Sequence, residues 1–320
     1  MAGQRSSGQA PFEFIYREDL RNMPDAALAH EVKLHGGFAV DKRPGHGHVY
    51  YGMPGAGVMR VSADMTVQEI IEVSADLVDV NFHSTKIGEF DGEPRLFLPA
   101  NGDSMVAVMT LDGETEFILP TPEFEQYADS EAAPYRPTDT IPDGENLVVT
   151  DGYGANYITT AHLSSRGWTS IFGGRSDDPT QLGKYGTAHG MNRTPDGSHI
   201  AIADRPHSRV EVVTFDGQGS KSYGLPDGSR PCGIDFVEWD GHWYAAIGSL
   251  DDPQAGRPAP IYILDGESYE VLSTIRPKED LGIELADHMH NVAWHVHDGR
   301  LHLMCQAWNP GYYFVLELHS

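Results

Sequence analysis

Cysteine is nearly absent from this chain: only Cys232 and Cys305 occur, too few for a disulfide framework and without C-x-x-C spacing. That count fits a reducing compartment, with Cys232–Cys305 the one bridge open to it. Positive charge is also scarce, 22 Lys and Arg against 47 Asp and Glu, a net charge of −25. Such a balance argues against nucleic acid or an anionic membrane as partner. No apolar run is long enough to cross a bilayer, and "MAGQRSSGQAPFEFIYREDL" has no apolar segment of the secretory kind. The expectation is a cytoplasmic protein that meets a small-molecule substrate; nothing in the sequence fixes its oligomeric state. Nucleophile signatures are missing too, with neither a G-x-S-x-G elbow nor a Cys–His pairing.

Helical periodicity is sparse. "DMTVQEIIEVSADLV" (64–78) alternates as readily as it turns, and "DAALAHEVKL" is short. The rest reads as short β-branched and aromatic runs separated by turns, many of them ending in Asp-Gly, the strongest short hairpin signal. These runs recur as a unit that opens on a small apolar strand and crosses a turn such as "PDG", "FDG" or "HDG". Six units are visible, opening near "LHGGFAV" (34–40), "VNFHSTKI" (80–87), "RPTDTIP" (136–142), "TAHGMNRTPDG" (187–197), "RPCGIDFVEWDG" (230–241) and "DHMHNVAWHVHDG" (287–299). Repeats of this length suit four-stranded antiparallel blades, so the fold expected is an all-β, six-bladed propeller around a central channel. It would form one domain over residues 1–320. Residues 1–25 would be an N-terminal extension in which "PFEFIYRE" (11–18) pairs with the last blade and closes the ring. A β-sandwich with an added domain explains the repetition less well.

In a propeller the first strand of every blade lines the channel, so equivalent positions in different units converge. His83, His189 and His290 open the second, fourth and sixth units. Three imidazoles from alternate blades with a fourth position open suit zinc, or Fe, Mn or Co. His35 occupies the same slot in the first unit and is a weaker channel candidate. His288 is expected at the rim of the site, and Met53 and Met191 are candidates to line a substrate pocket. His46, His48, His295, His297 and His302 are expected at turns or solvent faces. Asp139 and Asp151 are expected to cap turns or support a histidine.

"YRPTDTIPDGENLVVTDGYGANYI" (135–158) and "GKYGTAHGMNRTPDGSHIAIADRPHSRVEVVTFDG" (183–217) resemble the NHL-repeat propeller of peptidyl-α-hydroxyglycine α-amidating lyase. The similarity is weaker over 80–90 and 287–318. The resemblance implies a zinc on His83, His189 and His290, a catalytic Tyr153 from the "DGY" motif and an active-site Arg205 from the "ADR" motif. It also implies cleavage of a carbinolamide to an amide and a carbonyl product. Three positions depart from the family. Met53 stands near a family arginine, His288 replaces a methionine, and Asn291 replaces an aspartate that helps hold a structural calcium, so calcium is not expected and the substrate scope is expected to differ.

Two other functions use the same fold. One is a metal-dependent hydrolase or lactonase; the calcium shell of gluconolactonase-like propellers has no counterpart at the unit openings. The other is a non-catalytic NHL-type binding propeller, which would not need inward histidines.

Overall fold

In a computed structural model, residues 5–319 are described; residues 1–4 of the N-terminal extension lie outside them. The six repeat units form six antiparallel sheets arranged as a six-bladed β-propeller. The first strands are Ala39–Val40, Lys86–Phe90, Asp139–Asp143, Ala188–Arg193, Pro231–Trp239 and Met289–His297, for blades 1 to 6 in order. Each packs against its neighbour in sequence, and the first strand of blade 1 touches those of both blade 6 and blade 2, so the ring closes. The longest helix among the described residues is the four-residue turn Asp25–Leu28, and no helix is long and apolar enough to cross a membrane.

Blade 6 gains two strands from the start of the chain. Phe12–Tyr16 pairs antiparallel with Tyr312–Leu318, and Ser6–Gln9 adds outside it. Pairing the start of the chain with its last strand fastens the ring by backbone hydrogen bonds between sequence-distant segments. Apolar side chains fill the space between blades. Phe14, Trp294, Leu303 and Phe314 are buried in one cluster that spans blades 5 and 6. Each such side chain contributes about 1.5–3 kcal/mol on burial.

Nearer the axis the blades are tied by polar contacts. Asp139 of blade 3 accepts from Ser84 Oγ at 2.6 Å and from the Met191 backbone at 2.9 Å, linking blades 2, 3 and 4. Asp235 of blade 5 accepts from the Trp294 backbone at 2.8 Å. Glycine permits the close approach: a Cβ on Gly190 would lie 2.4 Å from the Cys232 carbonyl oxygen. Cys232 and Cys305 are both buried and free. His295 and His302, expected at turns or solvent faces, are instead buried, because they sit side by side on paired strands under Gly47 and Glu317.

Candidate metal centre

The first strands all open on the same face of the ring, and the residue at each opening is His35, His83, Thr138, His189, Cys232 and His290 in blade order. In blades 4, 5 and 6 irregular pairing turns the opening residue towards the axis. The ladder of blade 4 skips His189, with Ala188 and Gly190 paired to adjacent residues, and that of blade 6 skips His290 in the same way. In blade 5 the ladder breaks over Cys232 and Gly233. A β-bulge leaves its extra residue out of the ladder and re-aims the side chain.

Four imidazoles meet at these openings. Ring centroids lie 4.6 Å apart for His83 and His189, 4.7 Å for His189 and His290, and 4.9 Å for His83 and His290. His35 joins them at 4.6 Å from His83 and 4.3 Å from His290. All four are buried, and burial holds each below the usual histidine range: His35 at about 4, the other three well below it. They are therefore neutral at pH 7, the form that ligates a metal.

The donor set fits such an ion. Among the described residues one group can offer converging ligand atoms, namely His35, His83 and His290, whose atoms lie within 4.8 Å of one another. Nε2 of each is buried with no hydrogen-bond partner, a costly state in a packed interior unless something occupies the space between them. His189 is placed in the same cluster, but its Nε2 is 3.0 Å from the Tyr153 hydroxyl.

Tyr153 reaches the cluster from the turn after strand Asn146–Thr150. Asp151 builds that turn by accepting from the backbones of Arg136 at 2.5 Å and Ala155 at 2.7 Å and from the Tyr127 hydroxyl at 3.1 Å. Burial pushes the Tyr153 phenol up, and Arg205 pulls it only part of the way back. Arg205 follows strand His199–Asp204. It donates to the Tyr153 hydroxyl at 3.3 Å and to Cys232 Sγ at 3.1 Å, while its Nε has no partner. This guanidinium is 8 % exposed and makes no salt bridge with a described residue; Asp204 beside it pairs with Arg209 and His207. A buried cation without a carboxylate is complementary to an incoming anion.

The other candidates fall elsewhere. Met53 is fully buried in the core cluster of Tyr51, Met59 and Tyr313, and Met191 in that of Ile141, Ile200 and Ile202. His288 lies on the rim, with Nδ1 2.7 Å from the Leu250 carbonyl oxygen. Trp308 was not visible from the sequence; its half-exposed indole stands 5.4 Å from the His35 ring. Cys232 was missed although its unit reads Cys-Gly where the fourth reads His-Gly.

No protein-family model and no curated protein matches the chain. Among solved structures, the β-propeller domain of Cps50 (Swd1) from Myceliophteria thermophila is 10 % identical with a TM-score of 0.54, over 100 % of this chain and 98 % of that one. A streptogramin B lyase structure is 14 % identical with a TM-score of 0.55, over 96 % of this chain and 98 % of that one. At these identities the likeness is one of fold: the chain is built as these β-propellers are.

Proposed function

We propose that this propeller is a metal-dependent lyase that cleaves a C–N bond at an α-hydroxylated, carbinolamide-like centre and leaves a carbonyl product. The observation that carries the reading is a buried set of imidazoles with bare Nε2 atoms beside the Tyr153–Arg205 pair. The resemblance to amidating lyases at "DGY" and "ADR" supports the same chemistry, with His83, His189 and His290 as its ligand set, Zn2+ as the first choice of ion and Fe, Mn or Co as others. One fold neighbour is itself named a lyase. The buried free thiols accord with a cytoplasmic setting.

When bound, a divalent metal supplies a Lewis acid that lowers the pKa of a hydroxyl beside it. Arg205 holds a carboxylate or developing oxyanion of the substrate, having no protein carboxylate to satisfy it. In the net reaction the substrate hydroxyl loses a proton, its C–O bond becomes C=O, the C–N bond breaks, and the leaving nitrogen takes a proton. Tyr153 gives that proton a path: its hydroxyl, 3.0 Å from His189 Nε2, donates to the departing nitrogen and is restored by the proton that leaves the substrate hydroxyl.

The test is product analysis. A peptidyl α-hydroxyglycine, simpler carbinolamides and a lactone panel are incubated with metal-loaded protein. Amide plus an aldehyde or keto acid supports the lyase, and lactone opening alone supports a hydrolase.

A binding propeller is the second reading, favoured by one observation. At the opposite end of the channel a pocket of about 500 Å³ is lined by Lys42, Arg193, Phe236, Trp243 and Val296, none of which serves the chemistry above.

A further inference from the structure

We infer that the ring of openings is divided in two: His35, His83 and His290, from the consecutive blades 6, 1 and 2, are the metal ligands, oriented by Asn81, Thr138 and Asn291, while His189 stays off the metal as the proton partner of Tyr153. This rests on the metal-dependent reading above and changes its ligand set.

The first ground is which nitrogens are free. Nε2 of His35, His83 and His290 and Nδ1 of His189 have no partner, but the ring nitrogens that lie within 4.8 Å of one another belong to His35, His83 and His290. His189 Nε2 is already used. Arg205 donates to the Tyr153 oxygen at 3.3 Å, so the phenol proton is left to point at His189 Nε2, 3.0 Å away. An imidazole nitrogen that accepts a proton in this way has no lone pair for an ion.

The second ground is the tautomer that each Nδ1 partner enforces. A neutral imidazole ligates through Nε2 only when its proton sits on Nδ1. His83 Nδ1 is 2.8 Å from the Thr138 carbonyl oxygen, which can only accept, so the proton is on Nδ1 and Nε2 is bare. His35 Nδ1 and His290 Nδ1 face carboxamides, those of Asn81 at 2.9 Å and Asn291 at 2.8 Å. A half-turn of a carboxamide exchanges its oxygen for its nitrogen without moving anything else. With the oxygen towards Nδ1, both imidazoles become Nε2 donors to a metal. The turn also gives a partner to Asn81 Oδ1, which is otherwise buried and bare. Asn291 is held in a narrow slot: a Cβ on Gly233 would lie 2.3 Å from its Oδ1, and one on Gly37 3.1 Å. Ligating histidines commonly donate their second N–H to such a group, and removing it typically weakens metal binding about 10- to 100-fold. Asn81 and Asn291 are thus positioning residues.

The division also separates the chemistry in space. Blades 6, 1 and 2 carry the ion; blades 3, 4 and 5 contribute Tyr153, His189, Arg205 and Cys232, which hold the proton and the anion.

The experiment is competition titration of Zn2+ between a chromophoric chelator and the metal-free full-length chain, with thermal unfolding of each metal-free variant as a check on folding. His35→Ala, His83→Ala and His290→Ala are expected to weaken binding by about 100-fold or more. His189→Ala and Tyr153→Phe should stay within about 3-fold of the parent, since neither supplies a ligand on this assignment. Asn81→Leu and Asn291→Leu should lose about 10- to 100-fold. Asn81→Asp and Asn291→Asp, whose carboxylates can only accept, should bind at least as well as the parent and carry the test if the leucine variants do not fold. Loss of zinc from His189→Ala with retention in His35→Ala would overturn the division and leave the metal-dependent reading standing. Weaker binding in both aspartate variants would overturn the role of the asparagines. Failure of the parent chain to bind any zinc would sink both.

Discussion

The Tyr153 hydroxyl lies 3.0 Å from Nε2 of His189, joining the third blade to the fourth at the mouth of the channel. Removing the hydroxyl separates chemistry from metal binding. Tyr153→Phe should lower kcat on a carbinolamide by about 10²- to 10⁴-fold, the range for a positioned acid or base. It should also leave His189 Nε2 without its partner, at a cost of about 1–3 kcal/mol in thermal or urea unfolding. Unchanged kcat would remove the phenol from the mechanism.

Arg205 is a case where stability and function should move in opposite directions. Its buried charge has no carboxylate beside it in the free protein. Arg205→Met is expected to stabilise the ligand-free chain by about 1 kcal/mol or more, because a lone buried cation is costly. The same change should abolish protection by small carboxylates in a thermal shift assay. A less stable variant that still responds to carboxylates would show that the guanidinium is structural.

Acid should unfold the metal-free protein earlier than its carboxylates require. Burial lowers His35 and His295 to about 4, and it lowers His83, His189, His290 and His302 as well. In the unfolded chain these groups titrate near 6.5, so below that pH the unfolded state binds more protons and stability falls. The loss should run from about pH 6.5 down to about 4, at roughly 2 kcal/mol each for His35 and His295 by pH 5. Urea midpoints at pH 7.5 and pH 5 measure it, and His295→Gln should recover part of the difference. Equal midpoints would contradict neutral burial of these rings.

Blade 5 must approach blade 4 closely for Cys232 to meet Arg205. Gly190→Ala would place a methyl 2.4 Å from the Cys232 carbonyl oxygen. The expected outcome is a loss of about 1–3 kcal/mol from overpacking, with a lower unfolding temperature. A neutral substitution would mean that the two strands can separate freely.

The units were legible because five of the six follow their opening strand with an Asp-Gly or Pro-Asp-Gly turn, a pattern that survives without long-range information. The convergence of His83, His189 and His290 followed from the repeat phase. Less legible was His35, whose unit has a first strand of only two residues, Ala39–Val40, and therefore little pattern to mark it. Thr138 and Cys232 share the slot but carry no imidazole to mark it. The bulges at His189 and His290 depend on pairing with the second strand of each blade, which no local pattern encodes. Met53 and Met191 show the same limit from the other side: a methionine reads alike whether its strand face meets a pocket or the next blade, and here both meet the next blade.

The most direct test of a metal centre on the propeller axis is elemental analysis of tag-free protein, purified without added metal and again after zinc back-titration and desalting. The account predicts about one transition-metal ion per chain in the parent and in His297→Ala, whose imidazole sits beside Asp298 away from the cluster, and none in His290→Ala. A parent protein that holds no metal after back-titration would contradict it.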